Sequence, residues 1–357
     1  MKSLNQLIIT LMVCLFSIQA WAQSGKLFNT DNQLSSNLAT QVFQDKSGFI
    51  WIATRNGLNT YDGYHITVMK KDMSNFLGLK SNYINSIAQD DKGHILLGAN
   101  NSLLEFTGSE FHKIPMLDSK GEELATYVKQ VYPLKNKDVA VATSGYGIMI
   151  KKKDAQECHA MKGEVEKLKY IHKLLEDKRG RLWIITEDGK LYRKETNGRV
   201  TSHFVGTEGV DVQDIQQDVL GNLYLASKNQ GVHLLRAGSN VFTRISSIGN
   251  LPIENIYISR NNKLYIGCDG LGIYVYDPQT GFLQDNPLFS RLVNLAKSKV
   301  TSIIEDNQGN IWVSMLQKGV FMQSNIQNDF NYMGFRLGSR NVIGENCVTS
   351  LSINQGN

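Results

Sequence analysis

The side chains best equipped for chemistry fall into two sets. In the first, Asp45, Asp177, Asp218 and Asp306 each stand three residues before a glycine (Gly48, Gly180, Gly221 and Gly309). Trp51, Trp183 and Trp312 follow three of those glycines at the same interval. Carboxylates near indoles resemble a site, yet such regular recurrence marks turn and packing residues. The second set is irregular: Arg55, Asn56, Asn100, Asn101, Tyr146, Glu187, Asp188, Lys228, Asn229, Asp269 and Gln317. Amides, charges and an aromatic ring are what a carbohydrate site requires, namely planar hydrogen-bonding groups and a face for stacking. The plainer reading of any one of them is that loops are polar.

Other chemistries find little support. His65, His94, His112, His159, His172, His203 and His233 show no His-x-His or His-x-x-x-His spacing, so no metal site is expected, and they read as exposed or capping groups. No catalytic residue and no cofactor is assigned. Cys14, Cys158, Cys268 and Cys347 are widely spaced with no Cys-x-x-Cys pair, which argues against a disulfide framework and a zinc knot. Lys151, Lys152, Lys153, Lys162, Lys167, Lys169, Lys173, Lys178, Arg179 and Arg181 form a basic cluster that would attract a uronic or sulfated glycan. A solvated outer strand is the simpler account. A net charge of +5 over 357 residues is too mild to imply nucleic acid.

The elements that position these groups follow from the rest of the sequence. Residues 1–22 carry Lys2, then an apolar run from Leu7 to Ile18, then Ala20-Trp21-Ala22, the pattern of a secretory signal peptide. An uncleaved anchor is the rival. Beyond it the phrase "QDKSGFIWIAT" (44–54) returns as "QDDKGHILLGA" (89–99), "PLKNKDVAVAT" (133–143), "EDKRGRLWIIT" (176–186), "QDVLGNLYLAS" (217–227), "ISRNNKLYIGC" (258–268) and "EDNQGNIWVSM" (305–315). The period is about 43.5 residues, in the range of propeller blades.

Each part of the phrase has a physical cause. Asp-x-x-Gly is a tight turn, with the carboxylate on turn backbone and Gly48, Gly93, Gly180, Gly221 and Gly309 taking positive φ. Asn262 replaces the glycine in the sixth unit. The apolar run after the turn is continuous, as in a strand buried on both faces. Two residues past the Trp position the side chain is small (Ala53, Gly98, Ala142, Ala226, Gly267, Ser314; Ile185 excepted), as crowding between neighbouring blades demands. No segment has helical periodicity. The expectation is an all-β propeller of seven four-stranded blades over residues 23–335. Lys26 to Thr30 would close the ring as outer strand of the seventh blade, with Asp329 to Phe335 the competing segment. The irregular polar set then shares one rim with the connections between blades, and the Asp turns lie on the other.

"LSSNLATQVFQDKSGFIWIATRNGLNTYDG" (34–63) closely resembles the opening repeat of two-component regulator propellers. The lead-in Leu34-Ser35-Ser36-Asn37, then Asp45, Gly48, Trp51, Thr54, Gly57, Leu58 and Tyr61-Asp62-Gly63 carry the likeness. It extends over Ser35 to Ser324, strongest in units one, four and seven and weakest in unit three, which lacks both Asp and Trp. The resemblance implies the periplasmic sensor half of a hybrid two-component histidine kinase that detects oligosaccharides, anionic ones included. It further implies a second propeller and kinase modules in the same protein, a homodimer, and an inner-membrane anchor. Residues 336–357 would begin the second propeller. These residues hold no kinase chemistry, so no enzymatic activity is expected of this chain. The alternatives are a stand-alone exported binding module or scaffold, and a propeller lyase, which would need converging acid, base or metal ligands in the central channel.

Overall fold

A computed structural model describes residues 25–71, 78–203, 209–285, 288 and 294–325. The segment read as a signal peptide, residues 336–357 and the Asp329–Phe335 candidate for ring closure lie outside them.

The Asp turns and apolar runs build seven sheets. In each, an inner strand such as Ala39–Gln44 leads through a tight turn into a second strand such as Ile50–Thr54. The second strands carry the continuous apolar runs, and six of the seven are buried at every residue, Leu264–Cys268 being open only at Tyr265. Burial on both faces follows from sandwiching between blades. Inner strands contact their neighbours all the way round, Val300–Glu305 returning to Ala39–Gln44. The architecture is a seven-bladed antiparallel β-propeller, and four short 3-10 turns are the helical elements among the described residues. None of the helices there is long and apolar enough to cross a membrane.

The N-terminal segment closes the ring. Gly25–Phe28 pairs antiparallel with Gly319–Gln323, making the outer strand of the seventh blade. Phe28, 1% exposed, stacks on Trp312 at 5.3 Å and meets Tyr61 of the first blade edge-on at 4.9 Å. On the turn rim, Asn307 N donates to Gln44 Oε1 at 2.7 Å, a second tie between the last and first blades.

The third blade departs from the expected four strands. Met116–Leu117, arriving from the second blade, adds in parallel to Cys158–Ala160 as a fifth edge strand. Its turn also lacks Asp and Gly, yet keeps the geometry, since Lys137 adopts φ 71° where Gly48 has 95°. The small-residue position is explained by close approach. A Cβ on Gly98 would meet Val128 Cγ1 of the third blade at 2.5 Å, and one on Gly267 would meet Val300 Cγ1 of the seventh at 2.7 Å.

Turn and tryptophan prove to be one device. Asp45 Oδ1 accepts from Ser47 N and Phe49 N at 2.9 and 3.0 Å, while Oδ2 accepts from Trp51 Nε1 at 2.7 Å. Asp177–Trp183 and Asp306–Trp312 repeat the bond at 2.9 and 2.7 Å.

Candidate functional site

All seven inner strands break register with their second strands at one place, between Ala39 and Gln41 in the first blade and at the corresponding residues of the other six. A β-bulge leaves one residue unpaired and re-aims its side chain. The seven bulge residues are Thr40, Asn85, Lys129, His172, Gln213, Glu254 and Thr301, and all seven line one cavity of about 420 Å³ bounded by the inner strands.

The next residue along each strand holds the ring together. Backbone N–H groups near the bulge need acceptors, and side chains reach across from the preceding blade to provide them. Gln41 Oε1 accepts from Ile87 N at 2.8 Å, Ser86 Oγ from Val131 N at 3.0 Å, Gln130 Oε1 from Leu174 N at 2.6 Å and Asp214 Oδ2 from Ile256 N at 3.0 Å. Lys173 cannot accept. Its ammonium instead sits 2.7 Å from Asp214 Oδ1, which also takes Ile215 N. Asn255 donates to Val300 O at 3.0 Å, and its Oδ1 is buried without a partner in the cavity wall.

Above the cavity, the residue two positions before each bulge fixes the loop between the second and third strands. The carbonyls of Leu38, Tyr83, Tyr127, Tyr170, Asp211, Pro252 and Lys299 accept from Arg55, Asn100, Ser144, Glu187, Lys228, Asp269 and Leu316 at 2.8–3.2 Å. Three successive blades, the second to fourth, carry tyrosine at this position. Tyr83 and Tyr127 meet edge-on with centroids 6.0 Å apart. The Tyr127 hydroxyl lies 2.7 Å from Asn85 Oδ1 and 3.3 Å from the Tyr83 hydroxyl, and burial pushes its pKa up. The Arg55 guanidinium sits 5.4 Å over the Tyr83 ring, and the Lys129 ammonium 4.8 Å over Tyr127 and 3.4 Å from Glu187. Tyr170 is 58% exposed. Three of the seven blades therefore present an aromatic ring at the mouth. At the sixth and seventh blades it is ionic, with Lys299 bridging Glu254 at 2.8 Å and Asp269 at 2.7 Å.

His172 occupies the boundary. Burial first, then the positive charges of Lys173, Lys129 and Lys228, lower its pKa to about 4. It is a neutral imidazole at physiological pH, a donor and an acceptor rather than a cation.

None of the residues expected from sequence to bind ligand lines this cavity. Arg55 and Glu187 reach its tyrosine side, and Asp269 is paired to Lys299. Tyr146 stands 44% exposed and Lys228 is exposed. Asn100 and Asn101 line a separate pocket of about 320 Å³ with Lys80, Ser81, Ser102 and Lys113. The others are engaged in local loop structure or tie neighbouring loops together. Asn56 N donates to Thr54 Oγ1, Asp188 holds Thr186 and Lys190, Asn229 is tied to Asp211 N and Gly209 O, and Gln317 takes φ 69°. The basic cluster disperses into separate pairs such as Lys152–Asp138 and Arg181–Asp177, with Lys173 inside the channel. Cys158 and Cys268 are buried free thiols, each pushed up to about 12 by desolvation.

Sequence reasoning missed Asn85, Lys129, His172, Gln213, Glu254 and the three tyrosines. A signal was present: Tyr83-Ile-Asn-Ser, Tyr127-Val-Lys-Gln and Tyr170-Ile-His-Lys align in consecutive repeats.

Comparison with known proteins supports the repeat assignment. Residues 33–56, 78–101 and 294–317 match the family model described as two component regulator propeller. These are the lead-in, inner strand and turn of the first and second units, and the approach to and core of the seventh. The fourth unit lies outside the matched segments. The extracellular domain of the hybrid two component system BT3049 from B. thetaiotaomicron is 23% identical, with a TM-score of 0.74 over 85% of this chain and 42% of that one. That of BT4673 from the same organism gives 15% and 0.71, over 86% and 44%. Virginiamycin B lyase from Staphylococcus aureus shares the fold at 13% identity and a TM-score of 0.66, over 85% of this chain and 99% of that one. The chain thus spans less than half the length of the two-component domains it matches. The curated proteins yield no match.

Proposed function

We propose, from the premise that this chain is built of two-component regulator propeller repeats, that it is a ligand-sensing module of a periplasmic sensor and that its ligand is an oligosaccharide. The ligand enters the channel mouth at the second to fourth blades. One observation carries this reading: seven bulges turn polar side chains of six kinds into a single cavity, and a row of tyrosines stands beside its entrance. A sugar needs hydrogen-bonding groups of both kinds and an aromatic face, and the mouth supplies them together. Arg55 adds positive charge on that side, Lys129 being balanced by Glu187, and this favours uronate- or sulfate-bearing chains. Occupancy would shift the balance between arrangements of this propeller and the modules joined to it, a second propeller, a kinase and a second copy of the chain.

Thermal-shift and calorimetric screening of the chain against defined neutral and acidic oligosaccharides tests this. Tyr127→Ala should weaken binding of the best ligand about tenfold, the equivalent of about 1.4 kcal/mol. Failure of every glycan to bind, or undiminished affinity in Tyr127→Ala and Lys129→Met, contradicts it.

A further inference from the structure

The second blade carries a group that the channel mouth does not use. Asp90 opens its turn as Asp45 does, with Oδ1 accepting from Lys92 N at 2.9 Å and His94 N at 2.8 Å. In other blades the remaining carboxylate oxygen meets a neutral or cationic donor: the indoles already described, Arg181, Asn222 or Asn310. In the second blade the indole position holds Leu96 and the donor position holds His94. A further carboxylate, Glu105, then arrives from the third strand directly opposite Leu96. The residues opposite that position elsewhere are Thr60, Ile150, Arg193, Leu234, Val275 and Met322, none of them acidic.

His94 Nδ1 lies 3.5 Å from Asp90 Oδ2 and 3.3 Å from Glu105 Oε1, and the two carboxylate side chains are only 5% and 11% exposed. A buried carboxylate demands a partner of opposite charge. One imidazole nitrogen faces both, and it brings at most one proton and one charge. The lysines on the adjoining turns are engaged elsewhere, Lys46 on the Asp90 carbonyl at 3.0 Å and Lys92 on Asp154 at 3.1 Å. A divalent cation balances both carboxylates and takes the neutral nitrogen as a third ligand. The three ligating atoms lie within 4.8 Å of one another. The 3.3 and 3.5 Å separations match the edge of about 3.4 Å between neighbouring ligands of a tetrahedral metal with bonds of about 2.1 Å.

We propose that Asp90, His94 and Glu105 form a binding site for a divalent transition-metal ion of the zinc type, built into the second blade. The imidazole donor favours such an ion over calcium or magnesium, which take oxygen ligands. Three protein ligands leave a fourth position for water, reached past His94, whose side chain is 32% exposed. The site lies on the turn rim, remote in the blade from the bulge residue Asn85, so it stabilises the ring and does not contact the channel ligand.

Zinc titration of the chelator-stripped 357-residue chain, followed by calorimetry and thermal unfolding, decides the matter. One zinc ion should bind per chain and raise Tm by about 5 °C at roughly a hundredfold excess over Kd, with calcium ineffective. His94→Asn recreates the arrangement seen at Asn222 and Asn310, so it should fold and lose the zinc response; Glu105→Gln should lose it too. A parent chain that ignores zinc, or variants that bind it as the parent does, overturns the assignment.

Discussion

Trp51 Nε1 donates to Asp45 Oδ2 across 2.7 Å, closing a turn with the side chain of the strand that leaves it. The bond reaches six residues along the chain and ties the turn rim to the packing layer between blades. Asp177–Trp183 and Asp306–Trp312 repeat it, but their acceptor oxygens also receive Arg181 Nε and Asn310 Nδ2. At the equivalent position the first blade has Phe49, which donates nothing from its side chain.

A graded effect of tryptophan replacement follows. Trp51→Phe leaves Asp45 Oδ2 buried without its side-chain donor and should cost about 2 kcal/mol beyond the lost packing. Trp183→Phe and Trp312→Phe, whose aspartates keep a second donor, should cost about 1 kcal/mol less. Urea-unfolding midpoints of the three variants provide the comparison, and equal losses would show that the indole bond is immaterial.

Gly98 is held to glycine by the third blade. Gly98→Ala drives its Cβ against Val128 Cγ1, and such overpacking costs about 1–3 kcal/mol. Val128→Ala in the same chain should recover part of that loss. A double-mutant cycle showing no coupling would contradict the close approach.

The clasp depends on Phe28. Phe28→Ala removes a ring stacked on Trp312 and edged against Tyr61, a loss of about 3–5 kcal/mol. Native-state proteolysis should then cut first near the N-terminus and the seventh blade. Cleavage spread evenly over the blades would argue against closure by Gly25–Phe28.

His172 makes the ring sensitive to acid. Its pKa is about 4 when folded, held down by burial and by Lys173, Lys129 and Lys228, against an unfolded value near 6.5. Above that unfolded value both states are neutral and the histidine has no effect. Between the two values the unfolded chain takes up the proton and the folded chain does not, so stability falls with falling pH, by up to about 3 kcal/mol. His172→Gln should flatten the stability curve between about pH 4 and 6.5, read from denaturant melts at several pH values. An unchanged slope would show that this imidazole is not desolvated.

Much of the architecture was legible because a turn, a two-face-buried strand and a small residue recur at one period. Trp51 was readable as packing and Asp45 as turn backbone, but their bond depends on a side-chain direction that spacing does not reveal. The channel residues were obscured for a different reason. Lys129 and His172 sit in strands whose pattern looks ordinary, and only the bulge turns them into the cavity. Asp188 and Asn229 were selected because loops are polar, yet Asp188 is engaged by the side chains of Thr186 and Lys190 and Asn229 by the backbone of the preceding connection. The fifth strand at Met116–Leu117 pairs two residues only, too few to leave a periodic trace.

A crystal structure of the chain with its tightest-binding oligosaccharide tests the role of the channel mouth most directly. Sugar density against Tyr83 and Tyr127, with hydroxyls reaching Asn85, Lys129 or His172, is the predicted result. Density on the Asp-turn rim, or in the outer pocket lined by Asn136, Lys152 and His159, would contradict it.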